Sequence, residues 1–200
     1  MARQIITISR QYGSGGREIA EKVASDLGFA YYDKELIRRI ADEGSMDVGL
    51  VSRQGEGAMG KLSSLLTFAV NATGADEDTL PLAERIFLAQ SRAIKSLGEQ
   101  GKCVIVGHCA DYFLADYADT LNVFIIADAA SRLQRVMARN NIEEKEALAR
   151  IRKTDKDRSA YYEQHTNKRW GEAANYDLVL SSSTFGIELS AEIICAIARL

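Results

Sequence analysis

Residues 5–20, IITISRQYGSGGREIA, decide how this chain is read. Ile5, Ile6, Thr7 and Ile8 are β-branched, which suits a short strand buried on both faces. Gly13, Ser14, Gly15 and Gly16 follow as a turn, and Arg17-Glu18-Ile19-Ala20 opens a helix. Strand, glycine turn and helix start form the layout of a phosphate-binding loop. Glycines bring backbone N–H groups close to phosphate oxygens without an intervening Cβ. The helix adds free N–H groups and the positive end of its dipole.

The usual pattern is GxxxxGK[ST]. Two registers fit. Without a gap, Gly16 takes the lysine position and Arg17 the Ser/Thr position. A shift of one residue gives Arg17 the lysine role. The gapless register keeps the distance from strand to loop normal and is preferred. In both, Arg17 stands at the helix start with a fork that suits two phosphate oxygens. The hydroxyl that normally touches Mg²⁺ is missing; the ion would then bridge nucleotide phosphates and keep most of its waters. A bare structural turn is the alternative for GSGG taken alone.

Outward from this stretch, apolar runs and helical patterns alternate. Phe29–Tyr32, Val104–Val106, Asn122–Ala127 and Asp177–Ser181 read as strands. Helices are expected at Gly16–Leu27, from a cap at Asp33 to Glu43, at Leu82–Glu99, Ala129–Asn140, Glu143–His165 and Gly186–Ala198. This order implies an α/β fold, a parallel sheet with helices on both faces, with ligands at the C-terminal strand ends. Two hundred residues suit one domain, 1–200. Gly44–Leu82 lacks a strand pattern and reads as a helical insert or as a helical hairpin of the core. Its stripe Leu62, Leu65, Leu66 and Ala69 would serve a homodimer surface or a core contact equally well. Residues 129–170 read as a lid-like helical region.

A net charge of −3 gives no sign of a general nucleic-acid binder, so an anion site must come from local arginines. Cys103, Cys109 and Cys195 have neither CxxC spacing nor a Cys/His cluster, and read as reduced, buried thiols. The first residues lack the apolar run of an export signal, and no run of about 20 apolar residues is long enough for a membrane helix. A cytoplasmic location is expected, with small molecules as partners.

Further candidates lie downstream. Gly107-His108-Cys109-Ala110-Asp111 directly follows a buried strand, which places it on the sheet edge of the glycine turn. Gly107 permits close approach of a ligand; His108 would donate to a phosphate, or be an ordinary half-buried histidine. Asp111 would hold a base, a ribose or a metal-bound water. Arg132, Arg135 and Arg139 share one side of a helix, either a solvated face or an anion clamp. Leu148, Ile151, Asp155, Arg158 and Tyr162 share one face of the next helix. Asp155 and Arg158 thus continue an inward stripe, paired with each other or with a ligand.

Taken together, residues 6–20 (ITISRQYGSGGREIA), 31–37 (YYDKELI), 104–111 (VIVGHCAD), 151–162 (IRKTDKDRSAYY) and 176–181 (YDLVLS) resemble the cytidylate kinase-like family of P-loop nucleoside monophosphate kinases. The resemblance implies the three-layer P-loop NTPase fold with a lid. It implies transfer of a phosphoryl group from ATP, with Mg²⁺, to CMP or dCMP. Gly13, Ser14, Gly15, Gly16 and Arg17 would then cradle ATP phosphates. Asp33, Gly107, His108, Asp111, Asp155 and Arg158 would face the acceptor, and Arg17, Arg132, Arg135 and Arg158 the transferred group. His108 stands where the family carries arginine, and Gly44–Leu82 is unlike the CMP-binding subdomain of bacterial members. Archaeal-type members also lack the lysine, with GSGTTT-like loops.

Overall fold

A computed structural model describes residues 3–54 and 80–200. Strand β1 (Ile5–Arg10) is buried along its whole length and sits in the middle of a sheet. The other strands are β2 (Ala30–Tyr32), β3 (Cys103–Val106), β4 (Thr120–Ile126) and β5 (Leu178–Ser181), in the order β2-β3-β1-β4-β5. All pairings are parallel: Ile8 lies beside Val106 on one side and Val123 on the other. The alternating directions of β1 side chains split the core. Ile5 joins Leu36, Ile94, Leu97 and Ile105 on one face, and Ile6 and Ile8 join Ile19, Val23, Val123 and Ile194 on the other.

The helices follow from these faces. Helix α1 (Gly16–Leu27) turns Ile19, Ala20, Val23 and Ala24 to the sheet and packs against the closing helix, here α8 (Ser182–Ala198). Gly28, at φ 67°, ends α1 in the left-handed conformation that glycine reaches without cost. On the opposite face α2 (Lys34–Glu43) packs on α3 (Val48–Gln54) and α4 (Leu82–Gln100). A four-residue helix α5 (Ala110–Phe113) follows β3; it is too short for a periodic pattern to announce. Helices α6 (Ala129–Asn140) and α7 (Glu144–Thr166) pair after β4.

The pattern-based elements hold, with two adjustments. The closing helix starts at Ser182 instead of Gly186, which breaks it with a non-helical φ of 73°. Asp33 occupies the N-cap position of α2 but makes no side-chain cap bond, because its carboxylate turns to Arg17. Of the expected insert 44–82, residues 55–79 with the Leu62–Ala69 stripe lie outside the described residues. Cys103, Cys109 and Cys195 are free and buried, as expected. Among the described residues no helix is long and apolar enough to cross a membrane.

Because every strand is parallel, the ends at Arg10, Tyr32, Val106, Ile126 and Ser181 share one edge. The order turns at β1, and open α/β sheets place ligands at such a point.

Candidate functional site: a glycine loop ringed by arginines

Residues Gln11–Gly15 link β1 to α1. Gly13 and Gly15 have φ of 81° and 77°, in the left-handed region. Close packing reinforces the need for glycine at position 13, where a Cβ would lie 2.9 Å from the Arg132 carbonyl oxygen. Gly15 is the N-cap of α1, and no side chain caps that helix. Its first-turn N–H groups therefore face a ligand or water.

The loop is held by its carbonyl groups. Arg158 donates to the Arg10 oxygen at 3.0 Å, Arg132 Nε to Tyr12 at 2.7 Å, and Arg135 to Gly13 at 2.8 Å. The Ser182 hydroxyl donates to the Ser14 oxygen. In a planar trans peptide the next N–H points opposite to its carbonyl. The N–H groups of Gly13 and Gly15 are thereby turned away from Arg132 and Ser182. Asp155 completes the brace: Oδ1 accepts the Tyr12 N–H at 2.7 Å and Oδ2 pairs with Arg132.

A cleft opens over this loop. Gly13, Gly15, Gly16 and Glu18 border it, with Arg10, Arg17, Arg135, Arg139 and Arg158. Five guanidinium groups gather at this cleft in a protein of net charge −3, a local concentration of positive charge. Arg17 also holds Asp33 with two prongs, Nε to Oδ2 at 2.6 Å and a second nitrogen to Oδ1 at 3.2 Å. Tyr31, Asp33 and Lys34 border a neighbouring cleft that shares Arg17 and Arg139 with the first.

A second cleft of about 270 Å³ lies at the end of β3. Gly107, His108 and Cys109 border it with Ser9, Arg10, Arg158, Tyr161, Tyr162 and Trp170. Gly107, His108 and Cys109 have successive φ of 76°, 59° and 54°, a tight left-handed turn. Buried Gln90 fixes it, donating to the His108 carbonyl at 2.6 Å and accepting from the Tyr161 hydroxyl at 3.1 Å.

The expected site residues thus fall into groups. Gly13, Gly15, Gly16, Arg17, Arg135 and Arg158 share the loop cleft, with Ser14 buried beneath it. Gly107, His108 and Arg158 share the second cleft. Asp33 stands apart with Arg17, and Arg132 and Asp155 brace the loop. Asp155 pairs with Arg132, and Arg158 lies over the Tyr12 ring at 5.8 Å. Asp111 is buried; Oδ2 accepts from the Tyr162 hydroxyl at 2.7 Å, and Oδ1 has no hydrogen-bond partner. Sequence patterning passes over Arg10, Tyr161 and Trp170. Its one signal for Arg10 is a cation directly after a buried strand.

Burial pushes the Asp111 carboxyl above its ordinary value of 3.8, against the hydrogen bond from Tyr162. A raised acid binds its proton more tightly folded than unfolded. Its contribution to stability is complete below about 3.8 and erodes as pH rises through the folded value. Asp111→Asn is therefore expected to flatten the decline of melting temperature as pH rises above about 4. Parallel wild-type and variant curves would remove Asp111 as the cause.

Parallel strands, a glycine loop and helices on both faces define a P-loop kinase-like α/β fold. The chain belongs to the cytidylate kinase-like family, whose sequence profile matches residues 5–184. It is similar to a cytidylate kinase of Ignicoccus hospitalis, 26% identical over 95% of this chain and 96% of that one. A crystal structure of an uncharacterized protein from Eubacterium ventriosum aligns with TM-score 0.72 and 25% identity, over 96% of both chains. Shikimate kinase from Bacteroides thetaiotaomicron shares the fold, with TM-score 0.57 and 14% identity over the full length of both.

Proposed function

We propose that this chain transfers a phosphoryl group from ATP to a nucleoside monophosphate, with CMP and dCMP as the first candidates. The observation that carries the reading is the glycine loop with five arginines around one cleft, in a chain of the cytidylate kinase-like family. ATP phosphates would lie on Gly13–Gly16 and Arg17. The acceptor would enter the second cleft, where Tyr161, Tyr162 and Trp170 offer aromatic surface to a base and His108 and Arg158 offer donors to its phosphate. Asp33, held by Arg17, would orient the acceptor or release Arg17 to a phosphate.

In the step itself, an oxygen of the acceptor phosphate bonds to the γ-phosphorus of ATP. The bond from that phosphorus to the bridging oxygen breaks, and its electron pair leaves with ADP. A monophosphate oxygen is already ionised near neutrality, so no base has to remove a proton. What remains is in-line placement and neutralised charge, which Arg17, Arg135 and Arg158 would supply, with Arg132 holding the loop. Mg²⁺ would supply further charge neutralisation on the phosphates. Among the described residues no cluster of three or more His, Cys, Asp or Glu offers it a cage. Nucleotide oxygens and waters would hold it, with Glu18 as the carboxylate at the cleft. Residues 129–170, α6 and α7, would act as the lid that excludes water.

The test is calorimetry with ATP, CMP and dCMP, followed by ADP release across a panel of acceptors. Turnover with CMP or dCMP is expected. Binding without turnover would replace the kinase by a nucleotide-binding regulator, and turnover with a non-nucleotide alone would replace the acceptor.

A further inference from the structure

Arg10 ends β1 on the α1 face of the sheet, following Ile6 and Ile8. It is 8% exposed, yet it borders both the loop cleft and the second cleft. Arg158 also borders both, and it holds the Arg10 carbonyl at 3.0 Å.

Gly16 is the counterpart. A Cβ placed there would lie 2.7 Å from Arg10 Cβ, 3.2 Å from Arg10 Cγ and 3.3 Å from Ile125 Cβ. The first distance is shorter than carbon atoms tolerate, so the side chains of positions 10 and 16 exclude each other. In GxxxxGK[ST] the first glycine and the lysine are six positions apart. Positions 10 and 16 have that spacing, with the residue types exchanged: the cation comes first and the glycine last.

We propose that Arg10 is the cation that meets the transferring phosphoryl group, through exchange of residue types between the first and seventh loop positions. This rests on the kinase reading above. An arginine in the lysine's place along the helix would start from α1; Arg10 starts from the strand end and lies between donor and acceptor clefts. Its planar fork engages two oxygens at once, one on each side of the migrating phosphorus. The exchange explains why Gly16 has no side chain: a lysine there would occupy the volume that the Arg10 stem uses.

The test compares the full chain with Arg10→Lys, Arg10→Ala, Gly16→Lys and the double variant Arg10→Gly/Gly16→Lys. Turnover, ATP affinity by calorimetry and thermal melting are measured for each. Arg10→Ala is expected to lower kcat by about 10²-fold or more, and Arg10→Lys to recover part of it. Gly16→Lys alone is expected to lose turnover and melt lower. The double variant is expected to exceed both Arg10→Ala and Gly16→Lys in kcat by about tenfold, since the first glycine and the lysine of the usual pattern then stand in their places, with Arg17 still at the Ser/Thr position. A merely structural Arg10 would give melting losses without rescue by the exchange, and that outcome overturns the proposal, as does wild-type kcat in Arg10→Ala. Should Arg10→Ala not fold, a double variant no better than Gly16→Lys overturns it. A wild-type chain silent with every acceptor refutes the kinase reading instead; ATP affinity unchanged in Arg10→Ala would then refute Arg10 as a phosphate contact.

Discussion

Arg158→Ala is expected to lower turnover with ATP and CMP by about 10²–10³-fold, an effect of the size seen when one preorganised donor to a developing charge is removed. Arg158 borders both clefts, so it stands where phosphates on either side would meet it. It is fixed there by the Arg10 carbonyl and by the Tyr12 ring, and neither contact has to form during the reaction. The loss should fall mainly on kcat, because charge on the migrating group peaks in the transition state. Steady-state kinetics on Arg158→Ala and Arg158→Lys check this. An unchanged rate in the alanine variant would remove Arg158 from the assignment, and full recovery by lysine would show that the planar fork is not needed.

The second large effect is expected at Asp155. Its two oxygens join the Tyr12 N–H to Arg132, which itself holds the Tyr12 carbonyl. The side chains of Arg132 and Asp155 are only 12% and 19% exposed. Asp155→Ala leaves Arg132 without its carboxylate and frees the Tyr12 N–H. Removing one partner of a buried pair costs about 3–5 kcal/mol, and the remaining exposure lowers this to about 2–3 kcal/mol. For a chain of this size the melting temperature should fall by about 5–10 °C. ATP affinity should fall as well, because the glycine loop loses its brace. The double variant Asp155→Ala/Arg132→Ala should melt higher than the sum of the single losses predicts. Additive losses would show that the two side chains act independently.

The arginines show how far the sequence could be read. Arg17, Arg135 and Arg158 were legible because helical spacing and the glycine turn point them at one edge. Asp155 was legible as inward-facing, yet its partner was not. Arg132 is 23 residues away across a helix turn, whereas Arg158 is three residues away and looked nearer. Local spacing favours the i, i+3 partner, but the pairing of α6 with α7 brings the distant one into reach. Asp33 shows the same limit: as a helix-start residue it reads as a cap, and the ion pair with Arg17 claims its carboxylate instead. His108 and Asp111 were placed at the right strand end, but Asp111 lies buried behind Tyr162 and does not line the second cleft.

By itself, the sequence determined the order of strands and helices, and with it a parallel sheet whose C-terminal edge carries the glycine turn. Short β-branched runs between helical periods admit few other folds, because each buried face needs a partner layer. Its glycines also marked the left-handed turns at that edge. Only the tertiary structure decided the exclusion between Arg10 and Gly16, the brace of Asp155 with Arg132, and the split into two clefts that share Arg158. Those depend on distances between elements far apart along the chain, which periodicity does not carry; packing of α6 and α7 over the loop sets them.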